Sequence, residues 1–183
     1  RSSDLNDGHL EVQVSDPMQD PSQRSAALAC VAIGANLGDA ASTVMQAMQT
    51  LQQLSDTTVL KRSSLYRTAP YQAQGPDFIN AAVLLQTHLP PLVLLQTLQA
   101  IETQQGRERP YKNAPRTLDL DLIFYSDVQI QTPELTLPHP RWHERAFVLY
   151  PLADIWPERV SAELLQAVAD QAIEKCSDSH GSI

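Results

Sequence analysis

The chain has 183 residues, 43% of them hydrophobic, and a formal net charge of -8. That length suits one ordinary domain with a real core, and a surface of that sign argues against general nucleic-acid binding. No apolar stretch reaches the ~20 residues a membrane span requires, the N-terminus lacks the apolar centre of a signal peptide, and two cysteines, Cys30 and Cys176, make no disulfide framework or metal motif. A cytoplasmic protein is expected.

Residues 1–26 are rich in Ser, Asp, Gln and Pro and show no sustained apolar period. They read as a disordered leader, with a single domain over 27–183. Residues 27–33 read as a buried strand. Residues 34–39 form a turn, and Asp39 is placed to cap a helix whose Val44, Met45, Met48, Leu51 and Leu54 recur at helical spacing. Residues 57–68 alternate loosely and read as one strand. Residues 69–77 hold two prolines and a glycine and read as a loop. A third strand follows over 78–85. Pro90 or Pro91 opens a second helix with Leu92, Leu95, Leu98 and Ile101 expected inward. Residues 118–125 read as a strand and 128–132 as an edge strand. A Pro-His-Pro turn spans 138–140, residues 142–152 read as helix, and a last helix is expected over 162–175. The order β-α-β-β-α-β predicts an α+β fold of the split βαβ type, with helices packed on a mostly antiparallel sheet.

The chemistry concentrates between residues 106 and 121. Asp119 and Asp121 alternate with Leu118, Leu120 and Leu122. A strand puts both carboxylates on one face, roughly 7 Å apart at the backbone, and the leucines on the other. Such a pair resists joint ionisation unless a cation sits between its members. Mg²⁺ takes one or two carboxylates, with waters and substrate phosphates completing its octahedron. The competing reading is a polar strand face paired with Arg116. Arg107, Arg109, Lys112 and Arg116 fall within ten positions of one another. Guanidinium forks grip phosphate oxygens in pairs, and a loop carrying them can close over a ligand; the competing reading is a solvated charge run. Phe78 and Asn80 share a strand face, which suits a flat, hydrogen-bonding heterocycle or equally a core Phe beside an edge Asn. His139 between its prolines is a phosphate contact or a structural turn residue. No Ser-His-Asp triad, zinc site or phosphate-binding Walker loop is present.

Five blocks in order carry a resemblance covering about residues 29–160: AIGANLGD at 32–39, SSLYRTAP at 63–70, DFIN at 77–80, GR at 106–107 with PRTLDLD at 115–121, and LPHP at 137–140 with RAFVLYPL at 145–152. The chain resembles the 6-hydroxymethyl-7,8-dihydropterin pyrophosphokinase family of folate synthesis. The resemblance implies a ferredoxin-like three-layer sandwich, ATP as co-substrate, two Mg²⁺ ions, and transfer of a diphosphate to the pterin hydroxymethyl group with release of AMP. It implies that Asp119 and Asp121 hold both metals and that Arg107 and Arg116 neutralise the transferred phosphates. Gly34, Thr68, Pro70, Phe78, Asn80 and Phe147 would form the pterin site. Gln99, Glu102, Arg109, Leu122, Thr136, His139 and Arg145 would meet ATP. A monomer acting on two small molecules is expected, with neither nucleic acid nor membrane as partner. The chain departs from the familiar pattern at Asn113-Ala114, where Trp-Gly is usual, and at Glu134, where an arginine is. Alternatives of another kind are a different Mg²⁺-dependent nucleotide transferase and a ferredoxin-like module that binds a small ligand without chemistry. Paired aspartates beside several arginines favour the enzyme.

Overall fold

The computed structural model describes residues 25–70, 75–105 and 118–177. Most of the expected leader and the whole arginine-rich run, with Arg107, Arg109, Lys112 and Arg116, lie outside them. Strand β1 (Ala27–Ala35) leads through the Asp39 cap into helix α1 (Ala40–Gln52). Asp39 accepts from the Ser42 backbone N–H at 3.2 Å and from its hydroxyl at 2.8 Å, which satisfies first-turn donors the helix itself leaves over. Strands β2 (Thr57–Arg62), β3 (Tyr66–Thr68) and β4 (Phe78–Thr87) follow, then α2 (Pro91–Gln105) and β5 (Asp119–Tyr125). A small ribbon pairs β6 (Ile130–Gln131) with β7 (Thr136–Leu137). Helix α3 (Ala146–Ile155), helix α4 (Ala162–Ala167) and strand β8 (Glu174–Lys175) follow.

The main sheet runs β5-β1-β4-β3-β8, with β2 also on β4. All its pairings are antiparallel. Treating β2 and β3 as one interrupted strand gives the ferredoxin-like order expected of the βαββαβ pattern. Alternation along β1 divides the layers. Ala29, Val31 and Ile33 face α1 and α2, among Val44, Leu51, Leu94 and Leu98. Cys30 and Ala32 face α3, among Val148, Leu152 and Ile155. Two apolar faces on one sheet explain why its central strands read as unbroken hydrophobic runs.

Several elements differ from the sequence reading. The strand expected over 57–68 is broken at Ser63, whose hydroxyl takes the Ala82 N–H at 2.8 Å in place of a main-chain partner. Met45 and Leu92 are exposed, and the inner stripes are Val44, Ala47, Met48 and Leu51 on α1 and Leu94, Leu98 and Ile101 on α2. The segment 142–152 is a 3-10 turn (Trp142–Glu144) followed by α3, because Arg145 is extended (φ -122°, ψ 115°) between them. The last helix stops at Ala167. The chain then turns back, and β8 adds to the edge of β3, with the Cys176 N–H donating to the Leu65 carbonyl at 2.8 Å. The gain is an edge strand capped by main-chain pairing.

Candidate active site

Register places the candidate residues in rows across the α3 face of the sheet. Tyr66 lies opposite Asn80, Asn80 opposite Gly34, and Gly34 opposite Asp119. The next rows align Ala82, Ala32 and Asp121 on one side, and Thr68 with Phe78 on the other. Paired residues of an antiparallel sheet share a face, so a carboxamide and a carboxylate flank a position with no side chain. A Cβ at Gly34 would stand 3.3 Å from Asn80 Oδ1, so glycine here keeps a gap open above the sheet. Asn80 is 5% exposed. Its Nδ2 donates to Thr68 Oγ1 at 2.8 Å, which fixes the amide plane. Phe78 on the sheet and Phe147 on α3 are both half-buried on this side, as are Thr68 and Pro70.

The carboxylate pair sits as its spacing predicts. Asp119 and Asp121 are exposed, while Leu118, Leu120 and Leu122 are 1–3% exposed on the opposite face. β5 is an outer strand, so one side of its backbone faces away from β1. The Leu120 N–H on that side donates to Glu102 Oε2 of α2 at 3.1 Å. Glu102 is thereby bound to the peptide between the two aspartates. Leu122, two residues on, turns its main chain to the same side. Its side chain is in the core, so contact with a ligand can come only through the backbone. Among the described residues no cluster of three or more His, Cys, Asp or Glu side chains could hold a metal. Two exposed carboxylates at strand spacing fit Mg²⁺ chemistry in which phosphates and water supply the remaining ligands.

The turn before α3 brings further candidates to β5. The His139 N–H donates to the Ile123 carbonyl at 2.9 Å. His139 Nδ1 accepts from the Arg141 N–H at 3.3 Å, which leaves the neutral ring its proton on Nε2. Burial lowers the His139 pKa; Asp121 pulls it up, and Arg145 and Arg141 push it down. The Arg145 guanidinium lies 5.4 Å from the Phe147 ring centroid, a cation–π contact. Thr136 pairs with Gln131 in the ribbon. Gln99 stands exposed on α2, where it lines an open depression with Gln96, Ala100, Thr103 and Gln104.

Sequence reasoning passed over one part of this face. Tyr66 is 6% exposed, and its hydroxyl donates to Asp154 Oδ2 of α3 at 2.7 Å. The Ser64 N–H donates to the same oxygen at 3.1 Å. Burial, helped by the Asp154 hydrogen bond, raises the Tyr66 pKa above its usual range. The available signal was the i, i+3, i+7 spacing of Phe147, Tyr150 and Asp154, which puts all three on one helix face.

The molecule is thus a ferredoxin-like α+β sandwich with a side-chain gap at its sheet face and a carboxylate pair beside it. The chain belongs to the 7,8-dihydro-6-hydroxymethylpterin-pyrophosphokinase (HPPK) family, whose pattern matches residues 30–157. It is 42% identical over 146 residues to the Bacillus subtilis 2-amino-4-hydroxy-6-hydroxymethyldihydropteridine pyrophosphokinase, covering 79% of this chain and 86% of that protein. It is 46% identical over 132 residues to the Synechocystis protein of the same name, covering 72% and 68%. A crystallised Plasmodium falciparum HPPK-DHPS chain shares the fold with a TM-score of 0.61 at 16% identity. That match takes in 75% of this chain and 43% of the longer one.

Proposed function

We propose that this chain transfers a diphosphate from ATP to the hydroxymethyl group of 6-hydroxymethyl-7,8-dihydropterin, releasing AMP, as a step of folate synthesis. The pterin oxygen attacks the β-phosphorus, the bond between that phosphorus and the α,β-bridging oxygen breaks, and the hydroxyl proton passes to solvent or product phosphate. The observation that carries this reading is the row Asn80–Gly34–Asp119. It offers a polar edge for a flat heterocycle, room above the glycine, and a carboxylate one strand away.

In this reading Asn80, held by Thr68, hydrogen-bonds the pterin edge. Phe78 and Phe147 cover its two faces, and Gly34 and Pro70 line the slot. Asp119 and Asp121 hold Mg²⁺, two ions on this reading, which supply charge neutralisation and alignment of the polyphosphate. His139, neutral with its proton on Nε2, donates to a phosphate oxygen, and Arg145 adds positive charge beside it. ATP also meets Gln99, Glu102, Thr136, Arg109 and the main chain of Leu122. Arg107 and Arg116 neutralise the phosphates in transit, a role that the family resemblance supports. The chemistry asks for positioning and charge stabilisation rather than a strong general base. No helix among the described residues is long and apolar enough to cross a membrane, and the reading is of a cytoplasmic monomer acting on two small molecules. The test is product analysis with ATP, Mg²⁺ and the hydroxymethyl-dihydropterin. AMP should appear in step with pterin diphosphate, and ADP as the product would refute the assignment.

A further inference from the structure

We infer that Tyr66 and Asp154 form a positioning clasp that sets the width of the heterocycle slot, acting on the pterin side of the reaction and leaving the ATP side alone. The inference rests on the reading of that slot as the pterin site. Asp154 Oδ2 takes two donors from one short stretch of chain, the Tyr66 hydroxyl at 2.7 Å and the Ser64 N–H at 3.1 Å. The Tyr150 ring packs edge-on to the Tyr66 ring, 6.2 Å between centroids. Phe147, Tyr150 and Asp154 occupy one face of α3, with Phe147 about 10 Å along the axis from Asp154 at 1.5 Å per residue. Tyr66 and Thr68 occupy one face of β3, and Thr68 bonds the Asn80 amide. The helix stripe therefore lies over the strand that ends at the slot. Asp154 and Tyr150 fasten it, and Phe147 on the same stripe packs against the cluster holding Ala32 and Ala82, the row beside Gly34 and Asn80. The carboxylate pair sits two strands away from β4, on β5, and the clasp has no bond to it.

A separate anchor just past the same C-terminal end of α3, made with other partners, serves as a control. Arg159 lies over the Phe124 ring at 4.8 Å and the Trp156 ring at 4.3 Å, and pairs with Asp127 at 2.8 Å. Its partners Phe124, Trp156 and Asp127 are not residues of the slot, so loosening it tests α3 attachment apart from the clasp.

The test compares four variants of the full chain, Tyr66→Phe, Asp154→Ala, Asp154→Asn and Asp127→Asn, by steady-state kinetics with each substrate varied in turn, and by melting temperature. Loss of one or two hydrogen bonds predicts a rise of about three- to tenfold in KM for the pterin in Asp154→Ala, and a smaller rise in Tyr66→Phe. KM for ATP should stay within about twofold, well inside what one lost hydrogen bond would cause. Asp154→Asn keeps an acceptor oxygen and should restore the pterin KM. Asp127→Asn should leave the pterin KM unchanged, whatever it does to the melting temperature. Equal changes in both KM values, a pterin effect in Asp127→Asn, or a folded Asp154→Ala with wild-type pterin KM would overturn the clasp. Those results leave the assigned reaction standing, because wild type would still form AMP and pterin diphosphate. A wild-type protein that forms neither overturns both.

Discussion

Gly34→Ala isolates the slot from the fold. Gly34 sits mid-sheet between Asn80 and Asp119, and an added Cβ would meet Asn80 Oδ1 at 3.3 Å. The chain itself should tolerate the methyl group. Alanine restricts the unfolded state, which stabilises by about 0.4–1 kcal/mol where the native backbone is unstrained. The tight contact with the amide oxygen offsets part of that gain, so the melting temperature should hardly move. A flat ligand lying on the same spot meets the methyl group directly. Overfilling a well-packed site costs about 1–3 kcal/mol, which corresponds to a roughly five- to 140-fold loss of pterin affinity at about 1.4 kcal/mol per tenfold. Isothermal titration with the hydroxymethyl-dihydropterin, beside thermal unfolding of the same preparation, reads both quantities. Wild-type pterin affinity in a folded Gly34→Ala protein would refute the placement of the heterocycle over this residue. A large fall in melting temperature would show instead that the glycine is required by the sheet.

Asp121→Ala should lower kcat by about a hundredfold or more, the scale of losing one preorganised electrostatic contact, while the melting temperature holds or rises because two like charges no longer face each other; near-wild-type turnover would remove Asp121 from the metal site. His139, whose pKa is lowered chiefly by burial, binds its proton more readily unfolded than folded. Stability should therefore be complete above about pH 6.5, the usual imidazole value, and fall as the pH drops from there toward the folded pKa. Urea unfolding across that window should show a shallower acid-side loss in His139→Gln, and parallel curves for the two proteins would refute the burial argument. Burial also pushes the Cys30 thiol up to about 12, whereas Cys176 is half-buried near the end of the described chain. A thiol reagent at pH 8 should label Cys176 alone in the native protein and both cysteines after denaturation; rapid labelling of Cys30 in the native state would show that the α3 face opens.

Sequence alone determined the elements whose chemistry is local. The Asp39 cap needs only Ser42 three residues on, and the facing of Asp119 and Asp121 against Leu118, Leu120 and Leu122 follows from the two-residue period of any strand. The βαββαβ order and the five motif blocks pointed to the family and supplied the candidate site residues. Periodicity was weaker where tertiary packing chose among alternatives. Helix α2 is rich in leucine on several sides, so only its contact with the sheet selected Leu94, Leu98 and Ile101 over Leu92. Residues 168–175 give up helix to place β8 on an open strand edge, a partner distant in sequence and invisible to any local pattern. The same holds for the site. A glycine in a strand is unremarkable until register sets it between Asn80 and Asp119, and Tyr66 and Asp154 are 88 residues apart until α3 folds over β3. Local rules settle which way a side chain points; only the closed sandwich decides what it meets.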